Sequence, residues 1–378
     1  MNYLEKLLQG APVEWKTLEE VLKRTKGTKI TAGQMKELHK ENSPVKIFAG
    51  GKTFALVNYG DIPNKDIHTK PSIIVKSRGI IEFEYYDKPF SHKNEMWSYH
   101  SENENINLKY VFYFLKSKEL YFQQIGSKMQ MPQIATPDTD NFSIPIPPLS
   151  VQKEIARILD AFTAITSELT SELTLRQKQY QYYRDKLLTF GDEVEWKPLG
   201  EVLKRAKGTK ITAGQMKELH QENAPIKIFA GGKTFALVNY GDIPDKDIHT
   251  KPSIIVKSRG IIEFEYYDKP FSHKNEMWSY YSEDENICLK YVFYFLKSKE
   301  THFQQIGSKM QMPQIATPDT DKFKIPLPPI EEQKRIASIL DKFHTLAHSL
   351  SEGLPKEIAL RQKQYEYYRD LLLNFKQD

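Results

Sequence analysis

Most of this 378-residue chain is written twice. Glu14 to Phe162 returns as Glu195 to Phe343, at a constant offset of 181 and without a gap. About 21 of about 149 aligned positions differ. A period of a few tens of residues would mean a solenoid; a period this long means two whole domains, each long enough for its own core. The substitutions are uneven. Between Lys46 and Tyr99 the only change is Asn64 to Asp245, whereas others gather at and just before the helical segment that follows.

Within the unchanged block, KIFAGGKTFALVNYGDIP runs from Lys46 to Pro63 and again from Lys227 to Pro244. Its Gly-Gly-Lys-Thr imitates the end of a phosphate-binding loop. That loop needs a further glycine five residues before the second one, and Lys46 and Lys227 stand there instead. The loop must also open a helix. Phe54 to Tyr59 is an apolar, β-rich run ending in Gly60-Asp61, so the spacing predicts a Gly-Gly hairpin turn between strands.

Each copy leaves through a proline-punctuated exit, Ile144 to Leu149 and Ile325 to Ile330, which stops regular pairing. A helical pattern follows. Ile155, Ile158, Phe162, Ile165, Leu169, Leu173, Arg176, Tyr180, Tyr183 and Leu187 recur at spacings of three and four, the stripe of a coiled coil. Both segments contain LRQKQY, at Leu175 and at Leu360, where the offset has grown to 185. Gly353 and Pro355 fall in the four extra residues and predict a kink or short break. The first segment carries a tandem tetrapeptide, Thr166 to Leu169 and Thr170 to Leu173. Tyr3 to Leu8 resembles Tyr183 to Leu188, so the chain begins as its first long helix ends. The expected organisation is a first globular domain over 1–149, a helix over 150–190, a second domain over 191–330 and a helix over 331–378. The fold class is α+β, with the two helices pairing as an antiparallel coiled coil about a pseudo-two-fold.

Catalytic signatures are missing from the sequence. Pro137 to Asp140 (PDTD) opens like a nuclease metal site, but the Glu-x-Lys that should follow does not. Glu82 and Glu84 share one face of a strand and are expected as a solvated face. No histidine has a partner at metal-ligand spacing, so no metal site is expected. The single cysteine, Cys288, has Asn107 as its counterpart and excludes an internal disulfide. No run is apolar enough to span a membrane, and the expectation is a soluble cytoplasmic protein.

What remains is recognition. The net charge of +5 permits an anionic partner. Lys and Arg suit phosphates or the guanine edge, and Asn or Gln suits adenine. The candidates are Lys52, Thr53, Asn58, Lys76, Arg78, Lys128 and Gln130 in the first copy. In the second they are Lys233, Thr234, Asn239, Lys257, Arg259, Lys309 and Gln311. Arg78 and Arg259 lead, in a turn between two strand-like runs.

Two globular domains, each leaving through QMPQIATPDTDNFSIPIPPLSVQKEIARILD or its near copy into a long helix, resemble the specificity subunit of type I restriction-modification systems. The resemblance covers the whole chain, and its specific element is Ile-Pro-x-Pro-Pro, then Gln152 or Gln333, then the stripe from Ile155 or Ile336. It implies two target recognition domains reading the halves of a split site in double-stranded DNA. It also implies helices that space the readers and dock two methyltransferase subunits, with restriction subunits completing the complex. No cofactor is implied for this chain; S-adenosylmethionine belongs to the methyltransferase partners, and ATP and Mg to the restriction partners. The near identity of the two domains departs from the dissimilar pairs common in that family. The rival reading is a coiled-coil scaffold presenting two protein-binding modules.

Overall fold

The structure is a computed structural model and describes residues 3–127, 131–308, 312–349 and 352–376. The chain packs as two units, Met1–Leu169 with Ile358–Asp378, and Thr170–Glu357.

In the first unit a short helix, α1 (Tyr3–Leu8), precedes nine strands and five further short helices among the described residues. A four-stranded antiparallel sheet has the order β2 (Lys23–Lys26), β8 (Trp97–His100), β5 (Ser72–Lys76), β6 (Glu82–Tyr86). A three-stranded sheet has the order β4 (Phe54–Val57), β3 (Val45–Phe48), β7 (Phe90–His92), with β3 and β7 parallel. β1 (Glu14–Thr17) pairs with β9 (Ser143–Ile146). β9 contains Pro145, which cannot donate to a ladder, and accordingly β9 has a single neighbour among the described residues.

The main core forms where β5, β6 and β8 meet α4 (Leu108–Ser117) and α5 (Glu119–Gly126). In α4, Tyr110, Val111, Phe114 and Leu115 fall on one face and are all buried, which is why this segment is helical and why it lies on the sheet. The side chain of Asn107 caps it, accepting from Tyr110 N at 3.0 Å. A smaller core of Met35, Val45, Ile47, Ala55, Val57 and Ile62 forms under α3 (Ala32–Leu38). Phe48, Ile74, Phe90 and Met96 make a third cluster from residues of both sheets. β5 is therefore buried on both faces, all five of its residues included.

The exit after β9 runs into α7 (Leu149–Leu187), 39 residues without interruption. Two other short helices precede it, α2 (Leu18–Val21) and α6 (Thr136–Asp140). In the first unit Ile155 and Leu159 are fully buried in the main core, as is Leu372 from the C-terminal helix Gly353–Leu373. Phe162 stacks on Tyr368 at 5.2 Å. The second unit repeats the same order of elements, sheet neighbours and register. There the far half of α7 packs with the helix Ile330–His348, and Tyr183 stacks on Phe343 at 5.5 Å. The stripe is only partly covered: Ile165 is 42% exposed.

The second helical segment is two helices, as its Gly-Pro signal predicts, and the second begins at Gly353. Gly353 has φ +72°, and a side chain there would meet the carbonyl oxygens of Thr345 and Leu346 at 2.6 and 2.7 Å. Among the described residues no helix is long and apolar enough to cross a membrane.

Candidate nucleic-acid interface

The Gly-Gly segment is a hairpin loop. β3 and β4 pair from Val45↔Val57 to Phe48↔Phe54, and Ala49 N donates to Thr53 O at 3.0 Å across the turn. Gly51 takes φ +64°, a region that glycine occupies without strain. A strand follows, not a helix, so no phosphate cradle forms. Lys52 and Thr53 are exposed on this loop, as are Lys233 and Thr234 on its copy.

A second loop comes beside it. Arg78, Gly79 and Ile80 form the exposed turn between β5 and β6, and a β-carbon built on Gly50 would lie 3.6 Å from the Arg78 carbonyl oxygen. A third segment braces that turn: Gly79 N donates to Pro132 O at 2.9 Å and Ile134 N to Ser77 O at 3.0 Å. Lys52, Thr53 and Arg78 thus share one edge, with Ile80 and Met131 exposed along it. The second copy builds the same edge, where Arg259 Nε also donates to Gln314 Oε1 at 3.0 Å. Beside the first hairpin opens a cleft of about 510 Å³, lined by Met35, His39, Ala49, Thr53, Phe54 and Lys93 among others. Lys128, Gln130, Lys309 and Gln311 lie outside the described residues.

Lys76 and Lys257 do not reach outward. Each sits at the end of a strand buried on both faces, and the Lys76 side chain is only 7% exposed. Its ammonium lies 2.6 Å from Glu82 Oε1 and 2.8 Å from Glu84 Oε2; Lys257 repeats this with Glu263 and Glu265 at 2.5 and 2.8 Å. Burial alone would lower the pKa of Lys76, but the two carboxylates outweigh it and hold the pKa above the ordinary lysine value. Consequently Glu82 and Glu84 are more than a solvated face, being only part-exposed. They are the counter-ions of a buried lysine, and this is why two carboxylates sit on one side of β6.

Asn58 lies beyond the other end of β4 from Thr53, five residues or about 17 Å away, so it does not join the Arg78 edge. Its backbone N–H donates to Asp61 Oδ2 at 2.8 Å. The copies differ here. Asn239 Nδ2 donates to Gln221 Oε1 at 2.8 Å, where the first copy has Lys40, 3.9 Å from Asp61.

Pro137–Asp140 is structural. Asp138 accepts from Ala135 N at 2.7 Å and closes the turn of α6. Thr139 accepts from Trp97 Nε1 at 3.0 Å, and Arg24 Nε lies 3.1 Å from Asp140 Oδ2. Among the described residues no group of three His, Cys, Asp or Glu could hold a metal ion.

Two like domains, each with three loops gathered at a basic and apolar edge and each running into a long helix, define a duplicated α+β protein. Comparison with known proteins makes the class specific. The family model described as the type I restriction modification DNA specificity domain matches twice, over residues 12–176 and 191–360. The chain is 36% identical to the type I restriction enzyme EcoR124I/EcoR124II specificity subunit of Escherichia coli, covering 99% of this chain and 97% of that one. It is 32% identical to a putative type I restriction enzyme specificity subunit of Haemophilus influenzae, covering 99% and 98%. The crystal structure of a type I restriction-modification system S subunit from M. genitalium shares the fold, with TM-score 0.72, 17% identity and 97% of each chain covered. The chain belongs to the type I restriction-modification DNA specificity family, and its role in such a system is sequence recognition, not chemistry.

Proposed function

We propose that this chain reads a split site in double-stranded DNA whose two halves are the same sequence in inverted orientation. The observation that carries this reading is the block Lys46–Tyr99. It recurs as Lys227–Tyr280 with one substitution and folds in the same register, so Lys52 with Arg78 and Lys233 with Arg259 occupy equivalent exposed edges. Equivalent readers prefer equivalent half-sites, and the reading takes the two to be used in opposite senses, as paired readers are on palindromic operators. Arg at such an edge suits a guanine O6/N7 pair or a phosphate.

The same reading covers the partners. Leu175 and Tyr182 stand seven residues apart on α7, both 60% exposed. Leu360 and Tyr367 repeat that spacing on the C-terminal helix, 51% and 65% exposed. Residues seven apart lie on one helix face, so each segment offers an apolar patch of the same kind. Two such patches support two methyltransferase subunits in the complex, with restriction subunits completing it. S-adenosylmethionine, ATP and Mg are assigned to those partners and none to this chain, and the assembly works in the cytoplasm. The test is a genome-wide map of modified adenines in the source cell, repeated after deletion of this chain. Loss of one symmetric, split motif supports the reading; an unchanged map refutes it.

A further inference from the structure

The glutamine of the exit motif ties three segments of its domain together. Gln152 sits in the first turn of α7, 1% exposed, and uses its whole amide. Its Oε1 accepts from Asn107 N at 2.9 Å, and its Nε2 donates to Asn105 O at 3.1 Å and Pro147 O at 2.8 Å. One side chain thereby joins the long helix, the proline exit and the start of α4. Farther along α7 stands a second attachment. Asp160 accepts from Lys109 Nζ and Tyr113 OH, both at 2.7 Å, and Lys109 and Tyr113 are one turn apart on α4. The second unit repeats both. Gln333 binds Cys288 N, Asn286 O and Pro328 O at 2.9, 3.2 and 2.8 Å, and Asp341 accepts from Lys290 and Tyr294 at 2.6 Å each.

Two attachments between the same pair of elements do what one cannot. Gln152 and Asp160 are eight residues apart, about 12 Å along a helix. A single attachment is a pivot; a second one about 12 Å away fixes the angle at which the globular domain leaves the helix. The apolar contacts of Ile155 and Leu159 hold the domain on, but such packing is not directional. Hydrogen bonds with a fixed geometry are. Across a domain about 30 Å wide, a tilt of about 6° moves the far edge by about 3 Å, one base-pair step.

We propose that the Asp160 and Asp341 attachments, working against the Gln152 and Gln333 pivots, are positioning residues that restrict the split site to one spacer length. They touch no base. Half-site identity belongs to the loops, and the distance between half-sites belongs in part to these latches. This rests on the split-site reading above.

The test uses the full chain with its methyltransferase subunits and a DNA pool in which both half-sites and the spacer vary. The first variant is Asp160→Asn with Asp341→Asn; the second is Tyr113→Phe with Tyr294→Phe, which removes only one hydroxyl per domain and keeps the fold in reach if the first does not. Both should enrich the same half-sites as the unchanged protein. Discrimination against spacers one base pair longer or shorter should fall about threefold to fivefold, the range that removing a half-exposed charged hydrogen bond allows. Variants that bind and keep the original spacer discrimination overturn the latch and leave the split-site reading standing. An unchanged protein that enriches no split site overturns both. Loss of half-site preference with spacer discrimination intact also overturns the latch, because it would place these residues in base reading.

Discussion

Replacing Lys76 and Lys257 by Met separates a structural lysine from a DNA-contacting one. Met keeps most of the stem volume, so the change removes charge more than packing. In the first unit it strands Glu82, 2.6 Å from the deleted ammonium, whereas Glu84 keeps Lys46 at 3.5 Å. Breaking a fully buried ion pair costs about 3–5 kcal/mol. Here Glu82 and Glu84 are 29% and 33% exposed, and water takes up part of the loss. The expected cost is about 1–2 kcal/mol per unit, a fall of about 2–8 °C in the melting temperature of a unit this size. Adding Glu82→Gln and Glu263→Gln should recover much of it, which a double-mutant cycle measures. Binding should keep its salt dependence, since neither lysine reaches a phosphate. Arg78→Ala with Arg259→Ala should do the opposite. Stability should change by less than about 0.5 kcal/mol, while the salt slope drops by about one for each phosphate no longer bound, or selectivity relaxes at one base. Differential scanning calorimetry and a salt titration of DNA binding read both. A Lys76→Met, Lys257→Met protein that melts unchanged and loses salt slope would refute the assignment of these lysines to the interior.

His92 is fully buried, 5.7 Å from the ring of His68, and burial pushes its pKa down to about 4; His273 behaves alike. The unfolded chain takes up these protons near pH 6.5 and the folded one only near 4, so stability is whole above pH 6.5 and falls between those values. The loss is roughly 3 kcal/mol per unit, and His92→Gln with His273→Gln should flatten that part of a melting-temperature profile against pH. Cys288 caps its helix without a side-chain hydrogen bond, whereas Asn107 makes one, so Cys288→Asn should raise the second unit's melting temperature by about 2–4 °C, or about 1 kcal/mol. Inserting one more Thr-Ser-Glu-Leu after Leu173 advances the helix by about 6 Å with about 40° of phase error. It should lengthen the preferred spacer by one or two base pairs with both half-sites unchanged, which selection from a DNA pool reads directly.

The repeat, the hairpin loop, the turn that presents Arg78 and the break before Gly353 were legible because each follows from local spacing or from glycine and proline chemistry. Lys76 was not. Its strand shows no alternation, since β5 is covered on both faces, and a lysine at the end of such a strand turns inward only because Glu82 and Glu84 meet it across the hairpin. The two carboxylates were visible on one strand face, but their counter-ion was fixed by pairing register. Gln152 stood out in the exit motif, yet its partners at Asn105 and Asn107 lie more than forty residues earlier, and no local pattern announces a contact at that distance. The separation of Asn58 from the Arg78 edge likewise needed the hairpin in three dimensions, because six residues of sequence separate Lys52 from Asn58 while a strand carries them to opposite ends.

Two near-identical readers on one chain should select a symmetric split site. Selection of the full chain with its methyltransferase subunits against random double-stranded DNA, at fixed salt, measures this directly. The expected outcome is enrichment of one short sequence, followed at a single spacing by its own inverted complement. Enrichment of two unrelated half-sites, or of one unbroken site, would contradict it.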